Sequence, residues 1–331
     1  MAKYAYTVFG AATTVKVMKF DTFPKVGQTT AILNSDFDRL YYGGKAWNVI
    51  YNMMMLGCPV YPVLAYSDNR FVPEFERARQ RFGMPTDGIF RSPRGDYEFL
   101  TCYMLEDREK NHITMGGYHS NNPNLDLKEL KRDHVPVRRE FMADSRMAVL
   151  TCPKSGDLDT MFSAIVDAGM PMAFSMSHDT SVFNRDNLEP ICRYAQIIFA
   201  NEEEISYMEE LYGYASITDL FRLGQTRLIV KTLGKAGSLV YEKTEDGWRE
   251  YRVPITESPV GNVNAIGAGD AYVAGFLYGL SVGEPVETCA QYGSTVSSFV
   301  IEDDGSVTNA PTLEQMLARN ARRADAVNPK K

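Results

Sequence analysis

The chain of 331 residues lacks any long hydrophobic run. Its longest apolar stretch, residues 271–280, is broken by Gly275 and Gly279 and falls well short of the roughly 20 residues that a membrane-spanning helix needs. No membrane partner is therefore expected. Positive charge is also in short supply, with 35 Lys and Arg against 42 Asp and Glu and a net charge of −7. Phosphate backbones are bound by basic surfaces, so nucleic acid is not an expected partner. Cysteine is sparse and scattered, at Cys58, Cys102, Cys152, Cys192 and Cys289. That usage fits reduced thiols in a cytoplasm better than a disulfide framework or a zinc site. His112, His119, His134 and His178 are not spaced as metal ligands. At the amino end, the residues through Gly10 lack the apolar core of a signal peptide and read as a first strand. No repeat, low-complexity tract or linker divides the chain, and residues 325–331 read as a frayed tail.

What is present is the composition of a globular protein, 44% hydrophobic and 23% charged, in a chain long enough for one large or two ordinary domains. The most informative stretch is Val263-Asn264-Ala265-Ile266-Gly267-Ala268-Gly269-Asp270, which runs into the apolar residues 271–280. Gly267 and Gly269 let backbone N–H groups approach a phosphate closely, and the first turn of the following helix favours negative charge. Asp270 then stands beside the anion, placed to take a proton from a hydroxyl that attacks it. The same residues also fit a tight turn with a favourable first-turn acid.

Before this stretch the chain changes rhythm. Tyr41 to Gly57 opens on Gly43-Gly44, carries Asn48 one turn into a helix and closes on Gly57. Gly43-Gly44 read either as a ligand-contacting turn or a plain one, and Asn48 as a hydroxyl contact or a solvated residue. Phe23 to Leu33 has β character. Residues 62–65 read as a strand and 70–82 as a helix. Tyr97–Met104 and His112–Gly117 read as two strands joined by the polar turn 106–111. With the early β segment they would form a small separate sheet, a candidate lid. From about residue 125, strands at 147–151, 171–174, 196–200 and 227–232 alternate with helices at 156–168 and 182–194, which implies a mostly parallel sheet covered on both faces. Asn201 caps the next helix with Glu204 at its third position. Ser238–Tyr241 reads as a further strand after the turn from Leu233 to Gly237. In such sheets ligands bind at the carboxyl ends of the strands, where most of these motifs fall.

Taken in order, Gly10, Phe23-Pro24, Gly43-Gly44-x-x-x-Asn48, Asp68, Asn201-x-x-Glu204, Thr232-x-Gly234-x-x-Gly237 and Gly267-Ala268-Gly269-Asp270 resemble the ribokinase-like, or PfkB, carbohydrate and nucleoside kinases across nearly the whole chain. The resemblance implies a single ribokinase-like α/β domain over residues 1–331, with a β lid from segments near 14–38 and 95–117. It implies ATP and Mg²⁺ as cofactors and a small sugar, polyol or nucleoside as acceptor, phosphorylated on a primary hydroxyl. Asp270 corresponds to the general base, and the N–H groups of Gly267, Ala268 and Gly269 to the hole for the transferring phosphate. Glu204 and Asn201 correspond to the residues that order Mg²⁺ through water. Thr232, Gly234 and Gly237, with Asn201, correspond to the nucleotide side, and Gly43, Gly44 and Asn48 to the acceptor side. Residues 294–302 and 305–312 are similar to the C-terminal segment of adenosine-kinase-like members, and 112–117 point the same way.

Three positions depart from the family pattern. Val15 stands where an acid grips two sugar hydroxyls, and a valine side chain accepts no hydrogen bond. Asn264-Ala265-Ile266 replaces Asp-Thr-x in the loop that contributes to a monovalent-cation site, so K⁺ is implied by the resemblance and set against by this residue. Tyr66 replaces a glycine. These departures leave a second reading open, a non-catalytic nucleotide- or sugar-binding regulatory protein on the same fold. A nicotinamide dehydrogenase is excluded, because no G-x-G-x-x-G follows the first strand. An exposed lid sheet invites pairing with a second copy, which leaves a homodimer through the lid open.

Overall fold

The computed structural model describes residues 2–91, 99–109, 111–119, 135–153, 156–179, 182–260 and 264–327. Tyr97, Glu98, Lys110, His134 and Val263, each assigned to an element or motif above or weighed as a ligand, lie outside them. The first part of the chain supplies β1 (Tyr4–Ala11), β2 (Thr13–Lys19), β3 (Tyr41–Gly43), β4 (Val60–Tyr66), β5 (Ile89–Arg91), β6 (Phe99–Glu106) and β7 (His112–His119). The second part supplies β8 (Ser145–Leu150), β9 (Met172–Ser175), β10 (Ile197–Asn201), β11 (Leu228–Thr232), β12 (Ser238–Thr244) and β13 (Gly247–Val253). The helices are α1 (Lys45–Met55), α2 (Val72–Phe82), α3 (Leu158–Asp167), α4 (Arg185–Tyr194), α5 (Glu202–Tyr212), α6 (Leu220–Leu223), α7 (Ala268–Ser281), α8 (Val286–Val300) and α9 (Leu313–Val327).

Consecutive residues of the central strands are both apolar, and their side chains point to opposite faces. Val8, Leu64, Val149, Ile197 and Val230 pack on one side with residues of α1, α2 and α7. Phe9, Val63, Leu150, Ile198 and Ile229 pack on the other with residues of α3 to α6. Strands buried on both faces need helical cover on both, which is why a parallel sheet forms. Nine strands run in the order β13-β12-β11-β10-β9-β8-β1-β4-β5. The pairs from β11 through β5 are parallel, and the two pairs at the β13 end are antiparallel.

A second sheet, β3-β2-β6-β7, stands apart from the first. The chain passes between them at Ala12, whose N–H still donates to Ala65 O of the main sheet at 2.9 Å. Gly44 is indispensable at this crossing. Its φ is +93°, and a Cβ there would come within 2.7 Å of Ala11 O and 2.9 Å of Thr13 N. Val15 and Val17 of β2 pack with Tyr41 and with Ile266, the residue before Gly267. The small sheet is thereby seated against the glycine loop.

The β character read at residues 23–33 does not become a strand. Residues 20–40 form turns and irregular backbone, with Val26 and Leu33 exposed. Strand preference expresses packing against a neighbour, and no ladder partner lies alongside this excursion. β13 went unread in the sequence because residues 247–252 are almost all exposed and polar. It pairs as a hairpin with β12.

Candidate active site

At the carboxyl end of the main sheet, the turn before α7 is held by its own neighbours. Gly267 precedes the helix with φ +75°, and a Cβ on it would lie 2.4 Å from Ser306 Cβ. Any other residue here would be strained and would strike Ser306. Gly275 of α7 and Gly293 of α8 let the two helices approach closely, since a Cβ on Gly275 would sit 2.6 Å from Tyr292 O. Ser297 Oγ of α8 donates to Ala268 O at 2.7 Å, which fixes the first turn from behind. Among the described residues the N–H groups of Gly267 and Gly269 meet no acceptor, while Ala268 N–H closes a turn onto Ala265 O at 3.2 Å. The left-handed turn at Gly267 brings the Ala268 amide to this distance from Ala265 O.

Asp270 sits in that first turn with only 13% of its side chain exposed. Asn48 Nδ2 donates to Asp270 Oδ2 at 2.8 Å, and Ser306 Oγ in turn donates to Asn48 Oδ1 at 2.7 Å. Both polar ends of Asn48 are therefore engaged by the protein, and its first task is to hold the carboxylate. Lys45, at the start of α1, places Nζ 4.0 Å from Asp270 Oδ1 and also donates to Met176 O. Burial pushes the Asp270 carboxyl above the usual carboxylate range, opposed by the Lys45 ammonium and the Asn48 hydrogen bond and reinforced by the charge of Glu204. A largely buried carboxylate with a raised pKa and an orienting amide is a stronger proton acceptor than a free one.

Asn201 ends β10 and Thr232 ends β11, and the two are opposite each other in the parallel ladder. Asn201 Oδ1 accepts from Glu204 N–H at 2.7 Å, and Glu204 Oε2 accepts from Asn201 N–H at 2.8 Å, a reciprocal cap on α5. Beyond Thr232 the turn closes with Leu233 N–H on Gly237 O at 2.8 Å, with φ of +54° at Gly234 and +89° at Gly237. A Cβ on Gly237 would lie 2.2 Å from Val253 O. Among the described residues no three His, Cys, Asp or Glu side chains converge as a metal site.

Gly43 and Gly44 lie at the end of β3 and the start of α1, beside Val15 and the Asn48 carboxamide. Val15 is buried. Asp68 is buried as well, paired with Arg70 at 2.6 Å and accepting from Thr14 Oγ1 at 2.8 Å. Burial raises its carboxyl, but the hydrogen bonds from Arg70 and Thr14 outweigh that and hold it below the usual range. Asn264, at the family's carboxylate position, is 3% exposed; its Oδ1 accepts from Ile266 N–H at 2.9 Å and its Nδ2 donates to Asp304 Oδ1 at 3.1 Å. Sequence reasoning gave no role to Lys45 or Ser306. Lys45 had a signal, a cation directly after Gly43-Gly44 at a helix start. Ser306 had none, since its partner Asn48 is 258 residues away.

Residues 20–313 match the model of the pfkB family carbohydrate kinases. The chain is 25% identical over 303 residues to the nucleoside kinase of Methanothermobacter thermautotrophicus, covering 92% of this chain and 91% of that one. It is 25% identical over 293 residues to the 5-dehydro-2-deoxygluconokinase of Listeria innocua, covering 84% and 86%. The structure of the Burkholderia thailandensis nucleoside kinase in complex with inosine superposes with a TM-score of 0.78 at 18% identity, covering 99% of this chain and 98% of that one. The α/β architecture with its largely parallel sheet is thus one shared with the ribokinase-like kinases.

Proposed function

Since this chain belongs to the pfkB family of carbohydrate kinases, we propose that it transfers the γ-phosphoryl group of ATP to a primary hydroxyl of a small sugar, polyol or nucleoside, with Asp270 as general base. The observation that carries this reading is the largely buried Asp270 carboxylate in the first turn of α7, held by Asn48 at 2.8 Å with the Lys45 ammonium at 4.0 Å.

Asp270 takes the acceptor hydroxyl's proton as that oxygen forms its bond to the γ-phosphorus, and the bond to the β-bridging oxygen breaks to release ADP. The Gly267, Ala268 and Gly269 amides and the positive end of α7 meet the charge on the transferring group. Lys45 is placed to neutralise it from the other side. Asn201, Thr232, Gly234 and Gly237 form the nucleotide side, and Glu204 with Asn201 would hold Mg²⁺ through water, which would supply positive charge to the phosphates. Gly43, Gly44 and Asn48 form the acceptor side, beside an apolar wall of Val15 and Ile266. The small sheet acts as the lid that excludes water.

The relatives named above are a nucleoside kinase and a sugar-acid kinase, so both classes belong in the test. ADP release with ATP and Mg²⁺ is measured against nucleosides, pentoses, hexoses, polyols and sugar acids, with and without K⁺. An acceptor-dependent signal is expected, without a K⁺ requirement because Asn264 carries no charge. Silence across the panel with nucleotide binding intact would instead favour the non-catalytic regulatory reading.

A further inference from the structure

Lys19 ends β2 in the small sheet, far in sequence from the glycine loop, yet its ammonium lies 2.6 and 2.8 Å from the two carboxylate oxygens of Asp304. Both side chains are about three-quarters buried, at 26% and 23% exposure. Asp304 Oδ1 also accepts from Asn264 Nδ2 at 3.1 Å, and Asn264 Oδ1 accepts from the N–H of Ile266 at 2.9 Å. The Asn264 backbone is tied by its own N–H to Ile301 O at 2.7 Å. An unbroken polar path therefore runs from the small sheet to the residue directly before Gly267. Lys19 is itself fixed by the chain excursion that follows it, its N–H donating to Asn34 Oδ1 and its carbonyl accepting from Leu33 N–H.

We infer that Lys19 is a positioning residue for the phosphate-binding loop: through Asp304 and Asn264 it holds Ile266, and with it the Gly267 turn, in the conformation that aims the amides at the transferring phosphate. The inference rests on the reading of that loop as the γ-phosphate site. Two features of the path support it. Asn264 is buried with both ends of its carboxamide engaged, so a displaced Asp304 leaves an unpartnered donor and releases the acceptor that pins Ile266. Among the described residues Lys19 is the one cation paired with Asp304, so removing it leaves a three-quarters-buried carboxylate without a counter-charge, which then turns toward water. Two residues on from Asp304, Ser306 packs against Gly267 and holds Asn48. One short segment thus sets both the loop and the base, and Lys19 fastens it to the small sheet.

The test uses the full chain and two probes, Mg²⁺ with the β,γ-imido analogue of ATP and Mg²⁺ with ADP, titrated calorimetrically. Lys19→Ala is expected to weaken the analogue roughly tenfold while leaving ADP affinity and the melting temperature largely unchanged. Lys19→Arg should retain the wild-type preference for the analogue, Asp304→Asn should lose it, and methylammonium in the buffer should restore part of it to Lys19→Ala alone. A Lys19→Ala protein that keeps full analogue affinity, or one that weakens both nucleotides equally and melts early, overturns the inference and leaves the kinase reading standing. A wild-type chain that binds neither nucleotide overturns both.

Discussion

The proposed nucleotide side and the proposed base side of this site are built in opposite ways. Asn201 and Glu204 satisfy each other across three residues, and the Leu233–Gly237 turn closes within five. Asp270, by contrast, depends on Asn48 from a helix 222 residues earlier, on Lys45 beside it, and on Ser306 from the segment after α8. Local caps form wherever their few residues occur together, because little chain entropy stands against them. The base side exists only once α1, α7 and residues 304–306 have docked. A change on the nucleotide side should therefore be felt as local stability, and a change on the base side as catalysis.

Asp270→Asn tests that contrast most severely. Its kcat should fall by about a hundred- to ten-thousandfold, read from ADP release, while calorimetry finds nucleotide affinity near wild type. The wild-type pH profile belongs to the same test. Burial raises the Asp270 pKa, so the proton-accepting form is lost as pH falls through a value above the ordinary carboxylate range. An acid limb at the ordinary range, or a largely active Asn variant, would remove Asp270 from its role. Ser306→Ala comes next. It removes the hydroxyl that holds Asn48 Oδ1 and should cost about 1 kcal/mol, a roughly fivefold loss in kcat/KM. If that loss appears as an unfolding change with catalysis untouched, the base side is not assembled as described. Asn201→Ala should have the smallest effect on turnover. Losing the cap should cost about 1 kcal/mol and lower Tm by about 2 °C, with a raised KM for ATP and a smaller change in kcat than in the other two variants.

Much of this was legible in the chain itself, for reasons that differ between elements. The Asn201–Glu204 cap was readable because its spacing is set by the first turn of a helix. The doubled apolar runs of β1, β4, β8, β10 and β11 were readable because burial on both faces removes alternation. The 23–33 stretch misled because β-branched residues signal a pairing surface whether or not a partner lies alongside. The polar hairpin of β13 was hidden because a strand at the sheet's edge, mostly exposed, has no apolar pattern to show. The turn that closes Ala268 N–H onto Ala265 O was not read from the motif.

The sequence by itself determined the α/β class, the order of most of the central strands and their helices, and the Gly267–Asp270 turn, since each of these follows from residues close together in the chain. Only the tertiary structure decided that Asn48 faces Asp270, that Ser306 stands behind both, and that Lys19 reaches Asp304. These contacts join residues far apart in sequence. Hydrogen bonds and ion pairs of that kind leave no periodicity in the chain, because they are chosen by the packing of whole elements and not by their neighbours along the backbone.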